Sequence, residues 1–288
     1  MSEIEISAVI PAYNAEGSIR DAVASMLGQS LAPVEVIVVD DGSGDATVEV
    51  ATAAGARVIR QENRGPAAAR NAGIRASKSP WIALLDADDR ARPNRLARQA
   101  IAAGQEGVDV VFADHRVEGR ATPAAREPLV IDFEQLWRRN CVPTSTVLLA
   151  KAAWERAGGF DEARDLIGVE DYNLWLRLAR AGARFQHVNE VLVDYCPTAT
   201  SLTAQTRRFA AAEIENVRRV SQQLGLDQDA ITRKEHAVYL EYGLELFFVR
   251  DYSVSGRFLR EAAHRGSIGL GAHLRRLACS VPGWLLPR

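Results

Sequence analysis

The chain has 288 residues, of which 47% are apolar and 25% charged, with a formal net charge of −2. That length supports one large domain or two modest ones around a substantial core, and the near-neutral balance excludes a strong global field for nucleic acid. Three widely spaced cysteines (Cys141, Cys196, Cys279) with no C-x-x-C exclude a disulfide framework or a zinc site and fit a reducing cytosol.

The N-terminal MSEIEISAVI lacks the basic region of a signal peptide, and no apolar run approaches the roughly 20 residues that a spanning helix needs. The expected location is the cytoplasm, free or attached to the inner face of a membrane. Ile6–Pro11 reads as a short strand, followed by a helical stripe of Ile19, Val23, Met26 and Leu27. Val34–Val39 is a continuous β-branched run, the mark of a strand buried on both faces. It stops at Asp40–Asp45 (DDGSGD), a turn cluster that precedes a helix near 45–55. Ala56–Arg60 is a third strand, 65–77 an alanine-rich helix, and Trp81–Leu85 a fourth strand. Pro93 opens another helix to about Ala103, and Val108–Ala113 is a fifth strand. Later come a loop at 118–128, a strand at Thr146–Leu149, and a helix through Trp154 ending at Gly158 and Gly159. A helix over Val169–Ala181 and two short strands, Arg184–His187 and Val191–Tyr195, follow. From Thr206 the pattern is helical, with Leu240, Leu244, Phe247 and Phe248 on one stripe. Alternating strand and helix predicts an α/β fold: a mostly parallel, Rossmann-like sheet flanked by helices, with a helical C-terminal extension. The expected divisions are 1–115, 116–205 and 206–288.

In such sheets ligands bind beyond the carboxyl ends of the strands. Three chemically loaded segments lie there: 12–14 (AYN), 40–43 (DDGS) and 86–89 (DADD). The last sets three carboxylates within four residues, where like charges repel and each resists losing its water. Asp86 and Asp88, two apart, point the same way and could share one cation, since magnesium and manganese prefer oxygen ligands. The alternative is a solvated acidic turn before a helix. Asp41 can accept hydrogen bonds from a nucleobase or ribose, or simply end a strand. Arg70 can aim a guanidinium at a phosphate or base, or point into solvent from an ordinary helix. Glu170 and Asp171 open a helix, where the dipole favours acids in any case. Asp171 and Trp175, four apart, share a face and would pair a general base with a sugar-stacking platform; the alternative places Trp175 in the core.

Five ordered segments carry a resemblance: 9–14 (VIPAYN), 38–43 (VVDDGS), 69–73 (ARNAG), 84–89 (LLDADD), and Glu170-Asp171 with 174–177 (LWLR). Over about residues 4–205 the chain resembles the family-two glycosyltransferases with the GT-A fold. The resemblance implies a hexosyltransferase-like enzyme that uses a nucleotide-sugar donor, expected to be UDP-linked, with Mn2+ or Mg2+ as cofactor and inversion at the anomeric carbon. It implies further that Pro11, Ala12, Tyr13 and Asp41 hold the base and that Arg70 lies near base and phosphates. Asp86 would contact ribose or metal, Ala87 would join it in binding substrate, Asp88 would ligate the metal, and Asp171 would act as base with Glu170 as rival. The acceptor would be a carbohydrate, lipid-linked or small-molecule hydroxyl, as in polysaccharide biosynthesis. One departure is Thr198, which stands where many members carry histidine; His187 belongs to a strand and is no substitute.

Three other enzymes are disfavoured. A nucleotidyltransferase would carry a glycine-rich basic loop after the first strand, an aspartyl phosphatase would place D-x-D there, and a dinucleotide oxidoreductase needs the absent G-x-G-x-x-G. A non-catalytic nucleotide-sugar-binding or assembly-partner homologue is the alternative function. The C-terminal stretch 273–288 mixes arginines with Trp284, Leu285 and Leu286. It suits either a peripheral membrane contact or packing on the domain or in a homodimer, and packing is the favoured reading.

Overall fold

A computed structural model of the chain describes residues 4–118, 131–196 and 206–279. They fall into two compact units, 1–164 with 170–198, and 165–169 with 199–288.

The first unit begins with β1 (Ile6–Ala12), α1 (Ile19–Leu27), β2 (Glu35–Asp40), α2 (Thr47–Ala53), β3 (Arg57–Arg60), α3 (Pro66–Ala76) and β4 (Trp81–Leu84). It continues with β5 (Arg90–Ala91), α4 (Arg95–Ala103), β6 (Val108–Val117), α5 (Phe133–Arg138), β7 (Leu148–Ala150), α6 (Lys151–Arg156), α7 (Glu170–Arg180) and β8 (Arg184–Tyr195). The eight strands form one sheet in the order β3-β2-β1-β4-β7-β6-β8-β5. β1 runs parallel to β2 and β4, β2 to β3, and β6 to β8. β7 lies antiparallel to both β4 and β6, and β5 antiparallel to β8.

Every residue of β1 is buried, including its one polar member, Ser7, whose hydroxyl donates to Ser79 Oγ at 2.9 Å. Ala8, Ile10 and Ala12 face a core built with Ile19, Val23 and Met26 of α1 and Leu96 of α4. Val9 faces the other side, where α3 presses so closely that a Cβ on Gly73 would lie 2.5 Å from Val9 Cγ1. Helices therefore cover both faces, and the ends of β1, β2 and β4 open onto one edge.

Four expectations change in detail. The strand expected at Thr146–Leu149 is the shorter β7, preceded by a 3-10 turn at Thr144–Thr146. β7 reverses direction between parallel neighbours. The two short strands after Gly182 are one continuous 12-residue β8. β5 and α5, too short to show a period, were not anticipated.

The second unit holds α8 (Thr206–Leu224), α9 (Gln228–Phe248), α10 (Tyr252–Arg265) and α11 (Leu270–Ala278). Asp227 caps α9, accepting from the N–H groups of Asp229 and Ala230, both at 3.0 Å. Gly243 lets α10 approach α9: a Cβ there would meet Leu259 Cδ2 at 2.8 Å. The buried stripe of α9 is Val238, Tyr239, Tyr242 and Leu246; of the stripe read from sequence, Leu240 and Leu244 are half-buried and Phe248 is exposed. Among the described residues no helix is long and apolar enough to cross a membrane. Thr198 and the 284–286 segment lie outside the described residues.

Candidate active site

The site grows from the strand ends at that edge. Ala12 pairs with Asp40, and Asp41 N–H donates to Ala12 O at 2.8 Å. On the other flank of β1, Leu84 pairs with Val9, and Leu85 N–H donates to Val9 O at 3.2 Å. Asp41 and Asp86 thus leave the sheet on either side of the β1 terminus.

Asp41 is buried and fully engaged. Its Oδ1 accepts from Gln61 Nε2 at 2.7 Å and Arg64 N–H at 2.9 Å, and its Oδ2 from Gly65 N–H at 2.7 Å. These bonds fix the loop that leads into α3, where Gly65 takes a φ of 94° and Pro66 opens the helix. The loops after β1 and β2 are stitched together: Asn14 N–H donates to Ser43 Oγ at 2.9 Å, and Gly44 N–H donates to Asn14 Oδ1 at 2.9 Å. Pro11 and Ala12 are buried there, whereas Tyr13 stands 55% exposed.

Arg70 lies mid-way along α3 and is only 5% exposed. Its Nη1 donates to Glu170 Oε1 at 2.6 Å and its Nη2 to Asp86 Oδ1 at 2.7 Å. The guanidinium carbon sits 5.7 Å from the Phe160 ring centroid. Burial opposes the charge, but the two carboxylates more than reverse that and raise its pKa above the ordinary arginine value. Asn71, the next residue, locks the turn opposite: its Oδ1 accepts from Trp154 Nε1 and Phe160 N–H, and its Nδ2 donates to Phe160 O and Glu162 Oε1.

The acidic turn after β4 divides into distinct roles. Asp86 N–H donates to Ser145 Oγ at 3.1 Å. Asp89 is 1% exposed and accepts from Cys196 N–H at 3.0 Å, with burial and then the Asp86 charge pushing its pKa to about 7. Asp88 is half-buried; burial and then Asp86 raise it to about 6. No other residue among those described hydrogen-bonds to the Asp88 carboxylate. Among the described residues no three His, Cys, Asp or Glu side chains gather around a metal position. The Asp86 and Asp88 pair nevertheless fits a hard divalent cation. Magnesium takes one or two carboxylates and completes its shell with phosphate oxygens and water, and a cation would relieve the repulsion that lifts Asp88. Ala87 between them is half-buried and packs on the core.

Asp171, beside Glu170 at the start of α7, is held differently. Its Oδ2 accepts from the Thr144 hydroxyl and, at 3.4 Å, from Asn140 Nδ2. Burial first, then the neighbouring Glu170 charge, raise its pKa above the usual carboxylate range; Thr144 and Arg70 pull the other way. Trp175 requires a correction. It is 0% exposed and meets Phe160 edge-to-face at 6.2 Å, so neither ring face is open to a sugar. At i+4 the two share a helix face, but that face turns from a half-buried Asp171 into the core.

Arg70, Asp86 and Glu170 therefore meet directly, Asp88 and Asp171 feel their charges, and Asp41, Pro11, Ala12 and Tyr13 line the same sheet edge beyond β1 and β2. Thr144, Ser145 and Asn140 escaped sequence reading, and Asn71, within the 69–73 segment, was given no role. The first three sit in a 3-10 turn and its approach, which carry no periodic signal.

The model of the family described as glycosyl transferase family 2 matches residues 7–166. The chain belongs to that family. Among its curated relatives is the succinoglycan biosynthesis protein ExoO of Rhizobium meliloti, 44% identical over 123 residues, which are 39% of this chain and 35% of that protein. ExoU of the same organism is 36% identical over 205 residues, 64% of this chain and 60% of that protein. The family member described here thus spans between about a third and three fifths of those two relatives. The Escherichia coli UDP-Glc:alpha-D-GlcNAc-diphosphoundecaprenol beta-1,3-glucosyltransferase WfaP is 29% identical over 69% of this chain and 80% of its own. Among solved structures, S. aureus TarS 1-349 in complex with UDP-GlcNAc superposes with a TM-score of 0.67 at 16% identity, over 96% of this chain and 89% of that one. The mannosyltransferase PcManGT from Pyrobaculum calidifontis, in complex with GDP-Man and Mn2+, gives 0.66 at 19%, over 97% and 81%. The curled, mostly parallel sheet of this glycosyl transferase family 2 chain is the GT-A Rossmann-like fold.

Proposed function

We infer that the chain transfers a hexosyl group, with inversion, from a nucleotide-diphosphate sugar to a hydroxyl acceptor. The observation that carries this reading is the buried Arg70, clamped between Asp86 and Glu170, with Asp88 within reach of the Asp86 charge and Asp171 within reach of the Glu170 charge. The donor's base would lie against Pro11, Ala12, Tyr13 and Asp41, and its diphosphate near Asp86 and Asp88. A bound Mn2+ or Mg2+ held by those two carboxylates supplies charge stabilisation to the departing diphosphate, an effect worth several kcal/mol. WfaP and the TarS complex favour UDP as carrier and the PcManGT complex favours Mn2+. ExoO, ExoU and WfaP favour an acceptor in polysaccharide assembly, carbohydrate or lipid-linked.

The choice of base follows from the partners. Glu170 is committed to Arg70 in a buried ion pair, so protonating it would take from the buried guanidinium one of its two carboxylate partners. Asp171 has no ion pair at bonding distance among the described residues, accepts from neutral Thr144 and Asn140, and has a raised proton affinity. It is the group suited to take the acceptor hydroxyl's proton as the oxygen attacks the anomeric carbon from the face opposite the nucleotide. The bond to the diphosphate oxygen breaks in the same displacement, and no covalent enzyme intermediate is needed.

Asp171→Asn tests the assignment. Metal-dependent UDP binding, followed by calorimetry, should stay within about twofold of wild type, while sugar transfer falls by roughly 10²–10⁴. The wild-type rate should climb with pH along a limb above the ordinary carboxylate range, because only ionised Asp171 accepts a proton, and the variant should lack that limb. Intact transfer in the variant would move the role to Glu170.

A further inference from the structure

The helical second unit contains a groove that the proposed transfer does not use. It has a volume of about 580 Å³ and is lined by one face of α10 together with parts of α8 and α9. That size lies within the range of small-molecule sites. Two aromatic residues are part of its lining: Tyr239 and Phe258 meet edge-to-face at 5.2 Å, and the Arg265 guanidinium carbon covers Tyr239 at 4.6 Å.

The charges on the lining are unequal. Arg265 is spoken for, with Nε 2.7 Å from Glu235 Oε2 and Nη1 2.5 Å from Glu261 Oε2. Arg207, also on the lining, is paired with Asp251 at 2.5 Å. Three further lining arginines, Arg218 of α8 and Arg257 and Arg260 of α10, have neither an ion pair nor a side-chain hydrogen bond among the described residues. The sole acid on the lining, Glu261, is already neutralised by Arg265. Three unpaired guanidinia around one concavity repel one another, and an anion entering it removes that repulsion. Planar guanidinium forks match phosphate oxygens two at a time. The aromatic pair adds room for an organic group beside the anion.

We propose that this groove binds a phosphate-bearing organic anion, held by Arg218, Arg257 and Arg260 with Tyr239 and Phe258 on the same lining. Its phosphate comes from a soluble phosphoester or from a lipid headgroup. The site is independent of the transfer reading, because none of its residues belongs to that machinery.

The test compares the wild-type chain with Arg218→Gln/Arg257→Gln/Arg260→Gln and with a charge-matched control, Arg20→Gln/Arg208→Gln/Arg233→Gln. Circular dichroism confirms folding, which substitutions at exposed arginines should preserve. Phenyl phosphate binding is measured by calorimetry, and co-sedimentation by vesicles of phosphatidylcholine with and without phosphatidic acid. The groove variant should lose at least about tenfold in affinity for the probe that wild type binds, and the control should keep it. Loss with phenyl phosphate assigns a soluble ligand, and loss with phosphatidic acid vesicles alone assigns a headgroup. Failure of wild type to bind either probe, or equal losses in groove variant and control, overturns the proposal.

Discussion

Arg70 joins two carboxylates that the sequence keeps far apart, Asp86 after β4 and Glu170, which is 100 residues downstream at the head of α7. Removing the guanidinium takes from the buried Glu170 the cation that lies 2.6 Å from its carboxylate. Arg70→Met should therefore cost about 3–5 kcal/mol in urea unfolding, the usual penalty for breaking a buried pair. Arg70→Lys keeps the charge but cannot span both acids, so it should unfold at an intermediate urea concentration and still transfer sugar at least about tenfold more slowly. A wild-type unfolding midpoint for Arg70→Met would mean that the clamp contributes nothing. The alanine-rich helix that carries Arg70 was legible from the sequence, which left the side chain either aimed at a phosphate or base or in solvent. Its partners were not, since nothing in local spacing records a contact across 100 residues. Trp175 shows the opposite limit. Helical spacing set it on the face of Asp171 but could not tell where along that face burial begins.

At the scale of elements, β1, β2, β4 and α1 were readable because the strands are buried on both faces and the helix on one, so hydrophobicity reports the structure directly, whereas α3 was read from its alanine content and is buried nearly all round. The reversal of β7 was not readable. A three-residue apolar segment carries no mark of direction, and β5 is shorter still. The seat of α3 on the sheet depends on Gly73, whose missing Cβ admits Val9. Gly73→Ala should force the helix outward and cost about 1–3 kcal/mol of stability, the range for overpacked cores. Because Arg70 lies one turn earlier on the same helix, the variant should also raise the KM for donor. A thermal melt together with donor-dependent kinetics checks both effects. An unchanged melting temperature would show that α3 has slack against β1.

At the scale of the molecule, the parallel arrangement of β1, β2 and β4 brings acids distant in sequence to one edge, and that convergence was the part of the site most legible beforehand. The grouping of the C-terminal helices around an arginine-lined groove was not, because Arg218, Arg257 and Arg260 are scattered over two helices and look like ordinary solvated charges. The central claim is that Asp88, next to Asp86, holds a divalent cation on a nucleoside diphosphate. The most direct measurement is Mn2+ binding in the presence of UDP, followed by electron paramagnetic resonance, in wild type and Asp88→Asn. The account predicts that UDP tightens Mn2+ binding to the wild-type chain and that Asp88→Asn weakens it at least about tenfold. Equal Mn2+ affinity in the two proteins would contradict it.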